Sequence, residues 1–332
     1  MLNIAVIGLG VGEQHALAYS KRQDCRLRWL YDLDADQTKQ VVCRLGQGEV
    51  AENFRAILED ESIHLMSIAT YDDAHFEQVV AALNAGKHIF VEKPLCRSIT
   101  ELQSIKKTWQ ANNKHHLVSN LILRAAPVYQ WLKGIIEDGA LGQIYAFDGE
   151  YLYGRIHKIT EGWRKNVKDY SVMQGGGVHL IDLMLWLTGE RPVKVCSAGN
   201  KICTAGTEFR YNDFMTSTYQ FESGLIGRIT ANFGCVHRHQ HVVRIFGTKG
   251  TFIYDDCGPR LHTSRDEALF AADVGLPTLP TSKGDLIPGF VENIIKGQNT
   301  NKQTQHEFDL ISACVAADLA LTKEHSIQVE YV

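Results

Sequence analysis

Over the first third of the chain, short apolar runs alternate with amphipathic segments of helical period. The apolar runs are typical of strands, and they lie at Leu2–Ile7, Leu27–Tyr31, Leu65–Ala69, His88–Val91 and His116–Asn120. The helical segments lie at Glu13–Arg22, Asp36–Leu45, His75–Ala85 and Thr100–Ala111. Strands that alternate with helices are joined by right-handed crossovers, so this region is predicted to form a parallel sheet with helices on both faces.

The pattern changes near residue 122, where we place a domain boundary. A helix at Val128–Asp138 precedes a strand at Gly142–Tyr153 and a strongly apolar helix at Val178–Leu187, and several strands then follow one another between Val193 and Tyr254. Consecutive strands with tight turns are typical of a mostly antiparallel open sheet. The sequence therefore predicts an α/β protein, with a doubly wound domain at 1–122 and a second α/β domain at 123–332.

Composition then narrows the classes of function. Lysine and arginine total 34 against 38 aspartate and glutamate, a formal net charge of −4, whereas nucleic-acid-binding proteins usually carry a basic surface. No apolar run reaches the ~18 residues of a membrane helix, and the first residues lack the basic segment of a signal peptide. Eight scattered cysteines without a C-x-x-C pair are typical of a reducing compartment. We expect a cytoplasmic protein that binds neither nucleic acid nor membrane.

Three glycines follow the first predicted strand directly, in the segment Gly8-Leu-Gly10-Val11-Gly12. Glycines at a strand–helix junction let a pyrophosphate approach the backbone and the free N–H groups of the helix. Asp32 ends the second predicted strand, where a carboxylate accepts hydrogen bonds from ribose hydroxyls and repels a 2′-phosphate. This arrangement predicts a Rossmann-type site for NAD, with NADP less favoured, although the third glycine comes one residue earlier than in G-x-G-x-x-G. The alternative is a glycine turn that only packs the strand on the helix.

The tripeptide Glu92-Lys93-Pro94 follows the predicted strand at His88–Val91. Ligands of open α/β sheets bind beyond the carboxyl ends of the strands, so a lysine there is placed to hold a substrate hydroxyl. The proline restricts the backbone and is compatible with a cis peptide bond. An isolated tripeptide of this kind is usually a surface ion pair and a turn, but its position after a strand of a dinucleotide-binding sheet favours the functional interpretation.

Four more segments have patterns seen in one enzyme family. They are Thr70-Tyr-Asp-Asp-Ala-His75, Gly162-Trp163-Arg164, Gly175-Gly-Gly-Val-His179-Leu-Ile-Asp182 and Gly247-Thr-Lys-Gly250. With the glycine turn and the Glu-Lys-Pro segment, they make nearly the whole chain resemble the Gfo/Idh/MocA oxidoreductases, which are sugar, inositol and sugar-nucleotide dehydrogenases. The resemblance implies an NAD-binding Rossmann domain and an α/β domain with a large open sheet that carries the oligomer interface. It therefore implies an NAD-dependent dehydrogenase of a small molecule, forming a homodimer or homotetramer.

By this resemblance, Lys93 and His179 are the catalytic pair. A neutral histidine suits removal of a hydroxyl proton near pH 7, and a cationic lysine orients the oxygen and stabilises its developing negative charge. Many members of the family carry an aspartate four residues before the histidine, but Gly175 stands there in this chain. Asp182, one turn after His179, either orients the imidazole or has a structural role.

The same resemblance implies a set of cofactor contacts in both predicted domains. They are Gly8, Gly10, Val11, Gly12, Asp32, Thr70, His75, Glu92, Lys93, Asn120, Trp163 and Arg164. For His75 the alternative is a histidine at a helix start that faces water.

Cations and aromatic residues interleave between Tyr151 and Lys168, and this mixture suits a substrate with a phosphate or carboxylate and a ring to stack. The predicted substrate contacts are Arg124, Tyr153, Arg155, His157 and Lys158. We therefore expect hydride transfer between NAD and a secondary hydroxyl of a sugar nucleotide or sugar acid, more than of a free sugar or inositol. The alternative is a solvated loop whose charges bind nothing.

His237, His239 and His241 alternate in a predicted strand and so share one face. Imidazoles two residues apart lie ~6–7 Å apart along a strand, which suits a shared metal ion poorly, so no metal site is predicted. The three histidines are expected to line the substrate cleft or an interface, or to be exposed on the strand.

Two other functions stay open. An NAD-using hydrolase or lyase would oxidise a sugar transiently and reduce it again, and so would release no net NADH. A non-catalytic dinucleotide sensor is favoured only by Gly175, and the presence of both Lys93 and His179 argues against it.

Overall fold

The computed structural model describes residues 1–112, 115–266 and 268–332, and these divide into two units. The first unit comprises Met1–Ile122, Pro280–Ile311 and Val332, and the second comprises Leu123–Leu279 and Ser312–Tyr331. The opening segment of the first unit thus ends at Ile122. Residues 280–311, which the sequence analysis assigned to the second domain, return to the first unit.

Within its described residues, the first unit is built on a six-stranded parallel sheet. The strands are β1 (Leu2–Ile7), β2 (Cys25–Tyr31), β3 (Glu49–Val50), β4 (Leu65–Ile68), β5 (His88–Val91) and β6 (Leu117–Ser119), in the order β3-β2-β1-β4-β5-β6. The helices between them are α1 (Gly12–Ser20), α2 (Ala35–Leu45), α3 (Phe54–Glu59), α4 (His75–Asn84) and α5 (Ile99–Ala111). The predicted doubly wound sheet is confirmed, and only β3 and α3 are too short to have given a periodic signal.

The described part of the second unit carries a nine-stranded sheet in the order β14-β13-β12-β11-β7-β10-β9-β8-β15. The strands are β7 (Ile144–Leu152), β8 (Pro192–Asn200), β9 (Phe214–Phe221), β10 (Ile226–Asn232), β11 (Gln240–Gly247), β12 (Thr251–Asp255), β13 (Gly258–His262), β14 (Ala272–Asp273) and β15 (Ile327–Gln328). Only the β7–β10 pair of this sheet is parallel, which confirms a mostly antiparallel sheet.

The remaining helices are α6 (Pro127–Glu137), α7 (His157–Thr160), α8 (Val178–Thr188), α9 (Ile287–Ile295) and α10 (Asn301–Lys323). The first three belong to the second unit, α9 belongs to the first, and α10 begins in the first unit and ends in the second. Among the described residues, no helix is both long enough and apolar enough to cross a bilayer.

The core of the first unit explains why residues 280–311 return to it. The central strands are buried on both faces because helices cover the sheet on each side. Helix α9 adds Ile287, Phe290 and Val291 to this core, and the ring of Phe290 lies 5.5 Å from that of Phe90 on β5. The sequence shows that α9 has an apolar face, but it does not show which sheet that face covers.

Two glycines bring α8 close to the sheet of the second unit. A Cβ on Gly149 of β7 would lie 3.1 Å from the Leu180 Cβ, and one on Gly227 of β10 would lie 2.2 Å from the Met184 sulfur. Directly before α8, the segment Met173–Gly177 forms one π-helical turn, a feature often found at functional sites. This packing fixes the start of α8 against the sheet, and His179 is the second residue of that helix.

Candidate functional site

The glycine turn connects β1 to α1 in close contact with the end of β4. Gly8 has a φ of +79°, and a Cβ on it would lie 2.5 Å from the Ala69 carbonyl oxygen. A Cβ on Gly12 would lie 3.1 Å from the Ala69 Cβ and 3.2 Å from a Val6 methyl. The first and third glycines are therefore required by the fold itself, in spite of the shortened spacing.

Gly10 has a different reason to be glycine. Among the described residues, nothing lies within 4 Å of a Cβ built on it. Val11, which is partly exposed, precedes α1, and no described side chain caps the first turn of that helix. Open space over Gly10 and uncapped N–H groups beside it are what a pyrophosphate needs. The turn therefore fits the pyrophosphate of a dinucleotide.

Asp32 is held beside this turn by backbone N–H groups. One carboxylate oxygen accepts a hydrogen bond from Leu9 at 2.6 Å and the other accepts one from Asp34 at 3.0 Å. Leu33, Asp34 and Asp36 follow it, so its surroundings are acidic and apolar. A fixed carboxylate in such surroundings suits the ribose hydroxyls of NAD and repels the 2′-phosphate of NADP.

Glu92 lies in a buried hydrogen-bond network at the carboxyl ends of the strands. Its Oε1 accepts from the Asn120 amide at 2.7 Å and lies 3.2 Å from Nε2 of His15, whose Nδ1 lies 3.1 Å from the Ser67 hydroxyl. Burial alone raises the pKa of Glu92, but the bonds from His15 and Asn120 and the charge of Lys93 outweigh it and lower that pKa to about 2. Glu92 is therefore a fixed carboxylate directly before Lys93.

Glu92 and Asn120, both predicted as cofactor contacts, thus have partners inside the protein. The Asn120 amide nitrogen also donates to the Lys283 carbonyl at 2.8 Å, whereas its oxygen has no partner among the described residues. That oxygen keeps the cofactor contact of Asn120 a prediction. The cofactor contact of Glu92 also stays a prediction, and its hydrogen-bond network joins α1, β4, β5 and the segment after β6.

His75 is buried against the protein backbone at the start of α4. The ring is 0% exposed, with Nδ1 2.8 Å from the Pro94 carbonyl and Nε2 3.3 Å from the Thr70 carbonyl. Both nitrogens face the protein backbone, so the water-facing alternative is wrong, and the cofactor contact of His75 stays a prediction. The ring instead ties the Lys93–Pro94 segment, whose peptide bond is cis, to the loop after β4. The Thr70 hydroxyl donates to Gln78 at 2.7 Å.

In the second unit, His179 belongs to a group of four rings that we call the imidazole cluster: His179, Tyr151, His239 and His241. The ring of His179, which is 7% exposed, lies 6.4 Å from that of Tyr151 and 5.8 Å from that of His241. Tyr151 and His241 are direct cross-strand partners on β7 and β11. His239 lies 4.9 Å from His241 and 5.2 Å from Tyr151.

His237, which alternates with His239 and His241 in sequence, contacts residues outside the imidazole cluster. Its Nε2 lies 3.1 Å from Asp256 and its Nδ1 lies 2.7 Å from the Arg238 carbonyl. In the described part of the chain, no three histidine, cysteine, aspartate or glutamate side chains are arranged to hold a metal ion.

The glycines before His179 make room for aromatic rings. A Cβ on Gly175 would lie 2.2 Å from the Tyr170 hydroxyl oxygen, and one on Gly176 would lie 2.4 Å from the Tyr151 ring. Tyr170 therefore occupies the space that a side chain at position 175 would need. Asp318 holds this segment, since it accepts hydrogen bonds from Ser171 at 2.7 Å and from the Gln174 amide at 2.8 Å. No local pattern in the sequence points to Tyr170 or Asp318.

Asp182 and Arg124 are partners of each other. Both oxygens of the buried Asp182 accept hydrogen bonds from the Arg124 guanidinium, and the Arg124 guanidinium also lies 5.5 Å over the Trp186 ring. This pairing supports the structural role for Asp182 over the orienting one. The substrate contact of Arg124 stays a prediction.

Two of the other predicted substrate residues, Tyr153 and Arg155, lie next to the imidazole cluster. Tyr153 stacks on Tyr151 at 5.7 Å, and the Arg155 guanidinium lies 4.7 Å over the Tyr153 ring. The Arg155 Nε is buried, and it has no partner among the described residues. His157 and Lys158 are exposed on α7. Their substrate contacts stay predictions.

The cofactor contacts expected of Trp163 and Arg164 also stay predictions. The two residues lie on a 3-10 turn, Trp163–Asn166, of the second unit. The Arg164 guanidinium lies 4.4 Å over the Trp163 ring, so the pair presents a stacked cation and indole. Such a pair can stack on a flat ligand group.

Sequence models of two domains of one family match the chain. A model described as an oxidoreductase family with an NAD-binding Rossmann fold matches residues 2–120, and the model of the GFO/IDH/MocA C-terminal domain matches residues 129–253. Together they span more than two thirds of the 332 residues.

Similar proteins include dehydrogenases and a hydratase. Levoglucosan dehydrogenase of Pseudarthrobacter phenanthrenivorans is 26% identical, over 82% of this chain and 77% of its own length. The 2,7-anhydro-N-acetylneuraminate hydratase of Escherichia coli is 24% identical, over 77% of this chain and 68% of its own. A solved levoglucosan dehydrogenase, in complex with NADH and levoglucosan, covers 100% of both chains with a TM-score of 0.83 and 22% identity, which shows a shared fold.

The matches and the geometry agree for the first unit. The matched Rossmann region contains the glycine turn, the fixed Asp32 and the Glu92-Lys93-Pro94 segment, each at a carboxyl end of the parallel sheet. The second match covers most of the mixed sheet and the imidazole cluster. The chain therefore belongs to the Gfo/Idh/MocA family of NAD-dependent oxidoreductases.

Proposed function

We propose that the protein oxidises a secondary hydroxyl of a sugar derivative. The observation that carries this proposal is the position of Lys93, which directly follows a carboxylate fixed by His15 and Asn120. This lysine lies in the unit that also carries the dinucleotide turn. A lysine at the carboxyl end of a strand in such a sheet is placed for chemistry on a ligand.

Bound NAD supplies the hydride acceptor for the reaction. We assign to Lys93 the task of holding the hydroxyl oxygen and stabilising the negative charge that develops on it. His179 takes the hydroxyl proton, a role that neutral imidazole performs near pH 7. In this proposal the network around Glu92 keeps the backbone before Lys93 rigid, so that the ammonium group is positioned before substrate binds.

The proposed substrate carries a carboxylate or phosphate, as a sugar acid or a sugar nucleotide does. Arg155 supports this, because its buried Nε has no acceptor among the described residues and a ligand anion would supply one. A buried N–H group without an acceptor costs about 1–3 kcal/mol. Through Tyr153 and Tyr151, Arg155 belongs to the same group of stacked rings as His179. A neutral sugar or an inositol is the alternative substrate.

A second candidate function is a hydratase or lyase that oxidises its substrate transiently. The similarity to the Escherichia coli hydratase favours it. The same residues would act, but the hydride would return to the substrate after elimination or addition of water. Such an enzyme makes product without accumulating NADH, which separates the two functions.

The test is an absorbance assay for NADH with matched pairs of a neutral and an anionic substrate: glucose and glucuronate, and glucose and UDP-glucose, with myo-inositol as a further neutral substrate. NADH formation with an acid or nucleotide sugar supports the full proposal, and NADH only with neutral substrates overturns the anionic class. A changed product mass without NADH supports the second candidate. NAD binding without any product indicates a sensor and contradicts both.

Two variants connect the activity to the proposed residues. Lys93→Ala is expected to lower turnover about 10²–10⁴-fold while NAD binding, followed by tryptophan fluorescence, stays near wild type. Arg155→Gln is expected to raise KM for the anionic member of a substrate pair only. Arg210→Gln removes an exposed arginine of the same unit that is not a predicted substrate contact, and it serves as the control. Equal effects of the two variants on KM would remove Arg155 from the site.

We further propose a homodimer or homotetramer formed through the large sheet. On β7, β10 and β11, the face opposite to α8 carries the charged cross-strand pairs Arg228–Asp148 and Arg244–Glu150, each at 2.8 Å. A second copy of the chain can present the same polar pattern to this face. Light scattering tests the proposal, and a monomer at assay concentration contradicts it.

A further inference from the structure

His179 lies two residues after a run of three glycines, 175–177. Glycine loses more conformational freedom on folding than any other residue, yet the segment Met173–Gly177 forms a single π-helical turn, which is a rare conformation. Across this turn the Val178 N–H donates to the Met173 carbonyl, so the turn determines where α8 and His179 begin. A group outside the glycines must therefore hold the turn if His179 is to have one position.

Ser171 caps this turn at its N-terminal end. The Ser171 hydroxyl oxygen accepts hydrogen bonds from the N–H groups of Met173 at 3.1 Å and Gln174 at 3.2 Å. The Ser171 carbonyl accepts a third from the Gly175 N–H at 2.8 Å. A serine hydroxyl in this position satisfies N–H groups that the start of a helix would otherwise leave without acceptors. The cap requires that the hydroxyl direct its own hydrogen away from these two donors.

We propose that Asp318, on α10, is a positioning residue that fixes this cap and turn and thereby the place of His179, an inference that rests on the dehydrogenase function proposed above. One carboxylate oxygen of Asp318 accepts a hydrogen bond from the Ser171 hydroxyl at 2.7 Å, and the other accepts one from the Gln174 amide at 2.8 Å. Because a hydroxyl has a single hydrogen to donate, Asp318 also directs the lone pairs of Ser171 towards the backbone N–H groups. Asp318 thus holds the turn at two points, one of which is the cap itself.

Helix α10 connects this clamp to the sheet on which α8 packs. The buried Tyr219 of β9 donates a hydrogen bond to the Ala313 carbonyl at 3.3 Å, five residues before Asp318. Tyr219 is the direct cross-strand partner of Gly227, where β10 lies against α8. The support for the turn and the helix that carries His179 are therefore fixed to neighbouring positions of one sheet.

The clamp requires that both oxygens of Asp318 be acceptors. Burial raises the pKa of Asp318 from its ordinary value of 3.8 to about 6, and the hydrogen bonds from Ser171 and Gln174 oppose that effect. Above pH 7 the group is therefore a carboxylate, which accepts hydrogen bonds at both oxygens and donates none. We accordingly place the test at pH 8.

The test compares Asp318→Ala and Asp318→Asn with the wild type, using a substrate that forms NADH in the assay above. Alanine removes both bonds, and we expect kcat to fall about 10- to 100-fold while KM and NAD affinity stay near wild type, because a displaced base impairs the chemical step. Asparagine can keep both bonds, since its oxygen accepts from Ser171 and the Gln174 amide can turn over to accept from its NH₂ group. Asp318→Asn should therefore restore most of kcat.

The control is Asp255→Ala, because Asp255 of β12 is also partly buried and accepts two hydrogen bonds from Arg260 of β13, in the same unit. It should lower stability without lowering kcat. Ser171→Ala, which removes the cap and one of the two bonds, should lower kcat in the same direction and serves if Asp318→Ala does not fold. An unchanged kcat in the Asp318→Ala and Ser171→Ala variants would overturn the proposal, as would a loss that Asp255→Ala shares or that asparagine does not restore.

A second measurement does not need a substrate. Hydrogen exchange followed by mass spectrometry reports how often the backbone N–H groups of a peptide open to solvent. In Asp318→Ala we expect residues 173–179 to exchange about tenfold faster or more, while peptides of the first unit keep their wild-type rates. Unchanged exchange of this segment overturns the clamp, whereas failure of every substrate in the NADH assay overturns the proposed dehydrogenase alone.

Discussion

Two buried histidines, one in each unit, are held in different ways. In the first unit, His15 has a hydroxyl beside one ring nitrogen and the Glu92 carboxylate beside the other. In the second unit, His179 lies against the rings of Tyr151 and His241, and glycines before it leave the space that the neighbouring aromatic rings occupy. The first arrangement depends on direction and charge, and the second depends on shape.

This difference predicts how each region fails. A buried hydrogen-bond network loses most when one partner is removed, because the groups bonded to it stay buried without a partner. A packed ring cluster loses most when volume is added, because close-packed groups have no free space to yield. Substitutions that delete a charge should therefore damage the first region, and substitutions that add a methyl group should damage the second.

The largest effect is expected from Glu92→Ala. Removing the carboxylate leaves His15 and Asn120 without their acceptor in a buried site, and at about 1–3 kcal/mol for each group we expect the free energy of unfolding to fall by about 2–5 kcal/mol. Urea denaturation at pH 7 measures this change in the free energy of unfolding. The control is Glu59→Ala, since the exposed Glu59–Arg55 pair lies on the surface of the same unit and should contribute almost nothing. Equal losses for the two variants would show that the network adds no stability.

A smaller loss of stability is expected from Gly175→Ala, which adds volume to a packed region instead of removing a hydrogen-bond partner. The new methyl group would lie within 2.2 Å of the Tyr170 hydroxyl oxygen, and overpacking of this kind costs about 1–3 kcal/mol. The matched control is Gly134→Ala in α6, where no described atom lies within 4 Å of the added Cβ. There we expect a gain of about 0.5–1 kcal/mol, because alanine is the better helix former.

Removing the Tyr170 ring tests whether it is the group that fills the space beside position 175. In a Tyr170→Ala background, Gly175→Ala should lose its extra cost, because the space that Tyr170 fills is then open. Thermal unfolding of the two single variants and the double variant gives the coupling free energy. Additive losses would mean that the ring and position 175 do not compete for space.

The same comparison explains what the sequence could predict. The glycine turn, Asp32 and the Glu-Lys-Pro segment were found because each is a short pattern at the end of a strand, and parallel strands bring such ends to one edge. The strand order of the sheet alone brings these segments next to their neighbours in the fold. The sheet of the first unit was predicted for the same reason, from the alternation of apolar runs and helices.

What the sequence did not predict depends on partners that are distant along the chain. The burial of His75 follows from the Pro94 carbonyl, and the glycine at 175 follows from Tyr170. The pairing of His241 with Tyr151 depends on the register of two strands that lie 90 residues apart in sequence. Helix α9 returns to the first unit because its apolar face fits that core. None of these features leaves a local pattern.

The pH dependence of stability should separate two groups of the first unit: a histidine whose neighbours are other imidazoles, and the carboxylate Glu92. His88, at the start of β5, has imidazoles as neighbours, and burial, with His116 and His115, lowers its pKa to about 4 from 6.5. The folded state then favours the neutral ring. Its contribution, about 1–2 kcal/mol for a partly exposed group, is present above pH 6.5 and is lost as the pH falls from 6.5 towards 4.

Glu92 titrates in a lower window. Its folded-state pKa of about 2 lies below the ordinary value of 4.5, so its contribution is present above pH 4.5 and is lost as the pH falls from 4.5 towards 2. Urea midpoints measured from pH 7 to 3 should therefore fall in two steps. His88→Asn should flatten the upper step and leave the lower one, and Glu92→Gln should do the reverse. A single step that neither variant alters would contradict both assignments.

The smallest effect is expected at Asp32, where charge and hydrogen bonding can be separated. Asp32→Ala removes the acceptor for the Leu9 N–H as well as the charge, so it should weaken NAD binding and also relax the exclusion of NADP. Asp32→Asn keeps an oxygen for Leu9 but removes the charge. If repulsion of the 2′-phosphate sets the preference, Asp32→Asn should raise the affinity for NADP relative to NAD about tenfold, which is ~1.4 kcal/mol, while NAD affinity changes little. An unchanged ratio in both variants, measured by fluorescence titration, would place the ribose contact elsewhere and leave Asp32 as a support for the glycine turn.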